Sequence, residues 1–508
     1  MEHFVERFGN HIKGMLSGFD RVLFRGIQQS ICYVGGMERF LSSQRVLLKD
    51  FGDFAAGISE RVKAQAENWA KEQGRPFHYL ESSRESKENR ARQILQSDPV
   101  AKGLVCILSC VEPCQAFAIF GDRTSGRLRL VKRQRKCLHL YFYLLDREFG
   151  LFHVRLQTWF PFTIQVCING RQYLAEKMKR AGIGFCQHKN CFTALDDFQQ
   201  AAALLHRLES RNWAPFLQNL ARQVNPLVTG SQPLLRDYYW TARQSEYAVD
   251  VVFNSAKQLQ QIYPALLRHA IEAFSSEDIL RFLQRHHVQG QGDVHSDLQR
   301  KADGIRVKHW VQENSIKMYD KAGCVLRIEL TINNPRRFSV RRPGPHGRLR
   351  QYPLRAGLID LRQRVQIGIQ ACGDYLQALA LVADTRPCHQ LLDGVSQPVV
   401  VQQRRYRALR PVSPEDSQIL QVLLSGTSRL QGVRNRDLRR QLYPNSWQDP
   451  QQRVKASARI TRQIRLLIAH GLLFKISGTN RYSLTNRGNE VATAAHLLRQ
   501  ADFTQLAA

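Results

Sequence analysis

The 508-residue chain is 43 % hydrophobic and carries 74 Lys plus Arg against 43 Asp plus Glu, a formal charge of +31. This composition belongs to the globular class, and no run of about 18 apolar residues is present to form a membrane-spanning helix. A field of this sign attracts polyanions, so nucleic acid is the expected partner, DNA first and RNA second.

The opening MEHFVERFGNHIKG places charges where a signal peptide needs an apolar block, and eleven cysteines are ordinary for a reduced compartment. A cytoplasmic, nucleoid-associated protein is the expectation. In the first hundred residues, SERVKAQAENWAKEQG and SRESKENRARQILQSD read as surface helices. The runs GLVCILSCVEP, AFAIF, RLRLVKR, CLHLYFYLL and LFHVRLQTWF follow as five strands of an antiparallel meander. Cys106, Cys110 and Cys114 sit at a spacing that matches no zinc pattern, and Cys186, His188 and Cys191 lack a fourth ligand. Trp159, Phe160 and Phe162 surround Pro161 and suit a buried turn better than a base-stacking platform.

VNPLVTGSQP suggests a domain boundary, dividing an α+β unit over 1–228 from a second unit over 229–384. The second opens with a mostly helical stretch over about 240–300, containing YYWTARQSEYAVDVVF and the adjacent His286 and His287. GIRVKHWV, SIKMYD and CVLRIELTI then form a second meander. Between Asn333 and Gly368 lie nine arginines, no lysine and one acid, Asp360. Arg forks suit phosphate, so Arg336, Arg337, Arg341, Arg342, Arg348 and Arg350 form a candidate backbone-tracking strip.

Residues 385–410 read as a linker. Beyond it, SPEDSQILQVLLSG, VRNRDLRRQLY with Asn435 as cap, and RVKASARITRQIRLLIAHGLL are three helices, and FKISGTNRYSL is a hairpin. This order resembles the winged helix-turn-helix domain, which implies duplex contact by the third helix through Lys455, Arg459, Arg462 and Arg465, with Arg481 on the wing. Residues 401–508 hold 18 Lys plus Arg against 6 acids, the charge such a role needs. The fold class is thus mixed α/β (α+β): an antiparallel-sheet body with helices plus a C-terminal winged helix. No internal repeat is visible.

In SIKMYDKAGCVLRIEL, Lys317, Tyr319 and Lys321 share one face of the first strand, and Met318 and Asp320 the other. Glu329 faces away from Leu326, Ile328 and Leu330, as a half-exposed sheet requires. The pattern Tyr-Asp-Lys, turn, Leu-Arg-Ile-Glu is similar to one in plasmid and filamentous-phage rolling-circle replication initiators. That resemblance implies a tyrosine nickase or transposase-like enzyme of mobile elements using Mg²⁺ or Mn²⁺. It makes Glu329 and Asp320 metal ligands, places Asp320 and Lys321 near the scissile phosphate, and puts the nucleophile downstream at Tyr375, with Tyr352 second. The His-hydrophobe-His pair of many such nickases is absent here, and His153 and His309 stand singly.

Asp20, Glu112, Glu246 and Asp250 form a second set of acids, of the kind two-metal nucleases bring together from separate elements. GFDRVLFRG, QTWFPFTIQVCINGR and ARQVNP also resemble stretches of a bacterial protein family, a resemblance that implies no activity. The competing expectation is a non-catalytic transcriptional regulator or RNA-binding component of a ribonucleoprotein. A body of about 400 residues exceeds what a simple regulator needs.

Overall fold

The computed structural model of the chain describes residues 2–122, 126–283, 294–301, 304–343, 349–380, 388–424, 432–447, 449–476 and 479–500. Its centre is one eleven-stranded sheet. Two long strands, β1 (Ile12–Ile27) and β9 (Tyr239–Phe253), pair antiparallel at the middle, from Ile12 opposite Phe253 to Ile27 opposite Tyr239.

Helix α1 (Glu2–Phe8) precedes β1, and from β1 the chain passes through α2 (Val34–Ser43) and α3 (Phe51–Glu72), the short β2 (Phe77–Leu80) and α4 (Lys87–Ser97). The meander β3 (Gly103–Asp122), β4 (Arg127–Asp146), β5 (Gly150–Gln157) and β6 (Ile164–Asn169) then returns to pair β6 with β1. After α5 (Gly170–Ala181), a separate hairpin of β7 (Phe185–His188) and β8 (Cys191–Leu195), α6 (Phe198–Glu209) and α7 (Trp213–Val224), the scheme repeats from β9. Helices α8 (Ala256–Arg268) and α9 (Ser276–Phe282) lead into β10 (Val294–Lys301), β11 (Gly304–Val311), β12 (Asn314–Lys321) and β13 (Val325–Ile332), and β13 pairs with β9. Each half is therefore a long strand, helices and a four-stranded meander whose last strand returns to the first.

This topology corrects several expectations. The boundary placed at VNPLVTGSQP does not divide the body, because β1 and β9 belong to one sheet and a single buried core runs from Phe4 to Ala380. YYWTARQSEYAVDVVF is strand, not helix: its β-branched and aromatic residues fit a pleated surface, and the last nine residues of β9 are all buried. Helix α3 buries Ala55, Ile58, Val62, Ala66 and Ala70 against the core and is no free surface helix. GLVCILSCVEP and AFAIF form one strand that runs through Pro113, opposite Lys136. Proline is tolerated there because β2 pairs with β3 only over Ile107–Cys110, leaving Pro113 on a free edge.

Beyond β13 lie a hairpin of β14 (Ser339–Pro343) and β15 (Leu349–Pro353), and helix α10 (Leu361–Leu379), whose Val365, Ala371, Cys372 and Tyr375 are buried in the main core. The rest forms a second core. It comprises α11 (Cys388–Leu392), a small hairpin of β16 (Val399–Val401) and β17 (Arg404–Tyr406), α12 (Pro414–Leu424), α13 (Asn435–Leu442) and α14 (Pro450–Ala469). Strands β18 (Leu473–Lys475) and β19 (Tyr482–Leu484) and helix α15 (Asn486–Gln500) complete it. The expected linker contributes Leu392, Val395 and Leu409 to this core, and Arg407 clamps Asp416 at 2.6 and 2.8 Å. Asn435 is not the cap of α13; its amide reaches Ser457 O and Thr461 Oγ1 on α14, both at 2.9 Å.

Candidate functional site

The acids that the sequence scattered over three strands converge. Strand register puts Lys317 opposite Glu329, Glu329 opposite Ala248, and Arg327 between Tyr319 and Asp250. Because residues two apart share a face, Glu246 and Asp250 fall on the Glu329 side. On β1 the pairing slips between Phe19 and Arg21, and the extra residue is Asp20. Such a bulge re-aims a side chain, and here it adds Asp20 to the same cluster.

Carboxylate oxygens of Asp20, Glu246 and Glu329 lie within 4.8 Å of one another, and all three residues are buried. Among the described residues this is the group able to hold a metal ion; Cys186, His188 and Cys191 form none.

The face is not half-exposed as expected. All eight residues of β13 are buried, and Glu329 is 3 % exposed. The cover comes partly from the β7–β8 turn, whose Asn190 donates to Asp20 at 2.9 and 3.2 Å and accepts from Lys321. It also comes from α5, where Asn169 caps the first turn by accepting from Arg171 N at 2.9 Å and Gln172 N at 3.0 Å. Gly170 lets that turn approach β1, since a Cβ there would lie 1.8 Å from Phe19 O. The buried Arg171 then reaches Asp250 at 3.0 Å and Asp20 at 3.8 Å. Arg327, fully buried, grips Asp250 at 2.5 and 2.8 Å, Asp20 at 3.0 Å and Asn190 O at 2.7 Å.

Glu329 accepts from Lys317 Nζ at 2.6 Å and from the Tyr319 hydroxyl at 2.5 Å. Burial pushes its pKa up, but Lys317 and Arg327 outweigh this and hold the carboxyl at about 2. Glu246, bound by Arg21 at 2.6 Å, goes the other way, raised by burial and by the charge of Glu329. Asp250 stays below its ordinary value: burial opposes ionisation, and Arg327 and Arg171 win. Burial, then Glu329, pushes the Tyr319 phenol well up. Beside Tyr319 lies a pocket of ≈ 210 Å³ lined by Lys301, Gly304, Arg306, Lys317, Tyr319, Asp320 and Lys321, with four cationic side chains.

Of the residues assigned by resemblance, Glu329 and Lys321 belong to this site, and Asp320 lines its pocket. Asp320 is not a co-ligand of Glu329: it pairs with Leu326 on the opposite face, and its Oδ1 accepts from Ile305 N at 3.0 Å. Tyr375 is on α10 as expected, but it is fully buried on the apolar side, hydrogen-bonded to His309 Nε2 at 3.1 Å. No phosphodiester reaches a fully buried hydroxyl, so Tyr375 is corrected as the nucleophile. Tyr352, opposite Val340 in the β14–β15 hairpin, does not line the pocket. Glu112 joins a separate cluster with Tyr141 at 2.6 Å, Arg155 at 2.7 Å and Lys87 at 2.9 Å.

Arg336, Arg337, Arg341 and Arg350 are exposed, whereas Arg342 is tied to Asp360. Lys455, Arg459, Arg462 and Arg465 are exposed on α14, opposite the buried Ile460, Ile464 and Leu467. Arg481 donates to Gly432 O at 3.0 Å. Arg348, His286 and His287 lie outside the described residues. Phe160 and Phe162 are fully buried, as a turn core requires.

Sequence reasoning missed Tyr319 as the partner of Glu329, and Arg171, Asn190 and Arg327 as the frame of the cluster. The available signal was an acid set in the middle of an apolar strand three times over: FDRV, SEYAVDVV and LRIELT. No family model, curated protein or solved structure matches the chain.

Proposed function

We propose that this protein cleaves nucleic-acid phosphodiesters by a tyrosine and a divalent cation, Mg²⁺ or Mn²⁺. The observation that carries the proposal is the convergence of Asp20, Glu246 and Glu329 within 4.8 Å, next to Tyr319 and its cationic pocket. The donor set fits such an ion. Hard cations prefer carboxylate oxygen, and Glu246 is raised by burial and then by the charge of Glu329, a repulsion that a cation relieves. A bound ion would supply Lewis-acid polarisation of the phosphate.

The chain's own groups supply the rest. Lys317, Lys321 and Arg306 line the pocket and neutralise a phosphate seated there. The Tyr319 hydroxyl donates to Glu329 Oε2, which orients the phenol, and its proton passes to solvent as the phenolic oxygen bonds to phosphorus. The phosphorus–sugar oxygen bond breaks, and the departing oxygen takes a proton from solvent. Strand is left attached to Tyr319, the state a nickase or a mobile-element transposase needs.

Substrate is held elsewhere by the exposed arginines of the β14–β15 region and by α12–α14 with the β18–β19 hairpin, three helices and a hairpin that fit a winged helix. On that reading, α14 presents Lys455, Arg459, Arg462 and Arg465 to duplex DNA. A second reading is favoured by one observation: Lys317 saturates Glu329 Oε1 at 2.6 Å, as in a purely structural ion pair. The protein would then bind nucleic acid, DNA or RNA, without cutting it.

Incubation with supercoiled and single-stranded DNA plus Mg²⁺ or Mn²⁺ separates the two. Nicked circles and a protease-sensitive covalent adduct are expected, both lost in Glu329→Ala. Intact DNA across both metals and both substrates would support the binding-only reading.

A further inference from the structure

We infer, resting on the proposed function for the substrate class, that Arg25, Arg155 and Arg243 form a subsite for one backbone phosphate of the nucleic acid. It lies on the same face of the sheet as the acid cluster. Register lines up Thr241 on β9, Arg25 on β1, Gln165 on β6, Arg155 on β5 and Tyr141 on β4 as one row across five strands. Arg25 and Arg155 are thus two strands apart, about 10 Å between backbones, with Gln165 between them. Between Leu23 and Phe24 the β1–β9 pairing slips a second time, with the extra residue on β9, and that residue is Arg243. The bulge brings a third guanidinium to the row, as the bulge at Asp20 brings a third carboxylate to the acid cluster.

These guanidiniums are short of partners. Arg155 gives one arm to Glu112 at 2.7 Å and the other to Gln165 at 3.0 Å, and its Nε is buried without a partner. Arg25 Nε is buried and unpartnered too, and among the described residues neither Arg25 nor Arg243 makes a side-chain hydrogen bond or ion pair. Nearby acids are engaged: Glu112 also by Lys87 and Tyr141, Glu246 by Arg21, and Glu88 by Arg92. Burial and then the charge of Arg243 lower the Arg25 pKa, with Cys32 opposing and Arg155 adding to the fall. Like charges held together around unpartnered N–H groups are relieved by an oxyanion, and guanidinium forks suit phosphate.

The subsite continues the proposed centre. Arg21 and Arg25 are four residues apart on β1, so they share a face and stand about 13 Å apart. Arg21 holds Glu246 of the acid cluster at 2.6 Å. A strand seated at the cluster therefore reaches the row within a few nucleotides. Arg243 is exposed, and Arg25, Gln165 and Arg155 are partly so, which leaves the row open to substrate.

The test uses the full chain in EDTA, so that no cleavage intervenes, and follows anisotropy of a labelled 30-base single strand and a 30-base-pair duplex against salt. Arg25→Ala/Arg243→Ala should weaken binding roughly tenfold, the worth of a charge-assisted hydrogen bond. The slope of log K against log[salt] should become shallower by about 0.7 on the single strand or about 0.9 on the duplex, the value for one phosphate, and the probe that shifts identifies the source. Arg25→Lys keeps the charge and loses the fork, so it should keep the slope and lose affinity. Near-ultraviolet circular dichroism should stay at wild type, since neither side chain has a hydrogen bond to lose; if the double variant does not fold, Arg243→Glu at its exposed position reads the same slope. An unchanged slope on both probes overturns the inference, and so does wild-type affinity in Arg25→Lys, the mark of diffuse attraction. A slope change in a protein that forms no adduct would keep the subsite and remove the nickase; an adduct with no slope change would do the reverse.

Discussion

Tyr319→Phe should abolish the covalent protein–DNA adduct and lower nicking by roughly 10³-fold or more, the loss expected when one member of a cooperating catalytic set is removed. Tyr375→Phe should leave nicking intact. Its hydroxyl meets His309 in the core, so that variant instead loses about 1 kcal/mol of stability, the worth of one buried hydrogen bond. Tryptic mapping of the adduct should find the nucleotide on the peptide that holds Tyr319. An adduct on Tyr375, or one that survives Tyr319→Phe, would remove Tyr319 from the mechanism.

Arg327→Met should destabilise the fold by about 3–5 kcal/mol, because it strips the guanidinium from two buried carboxylates, Asp250 and Asp20. Urea unfolding followed by circular dichroism reads this directly, and Arg327→Met/Asp250→Asn should recover part of the loss. The pH dependence contributed by Asp250 should also weaken. In the wild type its folded pKa is depressed below the unfolded value of about 3.9, so its contribution is present above that value and is lost as pH falls through the folded pKa. Without Arg327, Arg171 at 3.0 Å is left to oppose burial, so the folded pKa moves back toward the unfolded value and the loss of stability on the acid side shrinks. A loss under 1 kcal/mol would show that the network is not the keystone of this face.

Alternation made the β12–β13 hairpin legible, including the face on which Lys317, Tyr319 and Glu329 stand. It could not show that this face is covered, since period two reads the same whether the polar side meets water or Arg171 and Asn190. The same alternation already set Asp320 on the other face, so assigning it beside Glu329 followed the resemblance against the geometry. Strand β9 was misread because Glu246 and Asp250 are four apart, a spacing that puts two residues on one face in a helix and in a strand alike. The bulge at Asp20 left no trace in local pattern, being a property of the β1–β9 pairing. Topological repetition of the two halves was equally hidden, as it resides in strand order and not in matching residues. Helix α14 was readable because Ile460, Ile464 and Leu467 recur at helical period opposite its basic residues.

Mn²⁺ binding reads the acid cluster of Asp20, Glu246 and Glu329 directly. Electron paramagnetic resonance titration of the full chain should find one bound Mn²⁺ per chain, with affinity rising as pH increases and Glu246 gives up its proton. Binding should be lost in Glu329→Gln and in Asp20→Asn and retained in Asp320→Asn, whose side chain lies on the opposite face. Absence of Mn²⁺ binding in the wild type, or its loss in Asp320→Asn alone, would contradict the proposed centre.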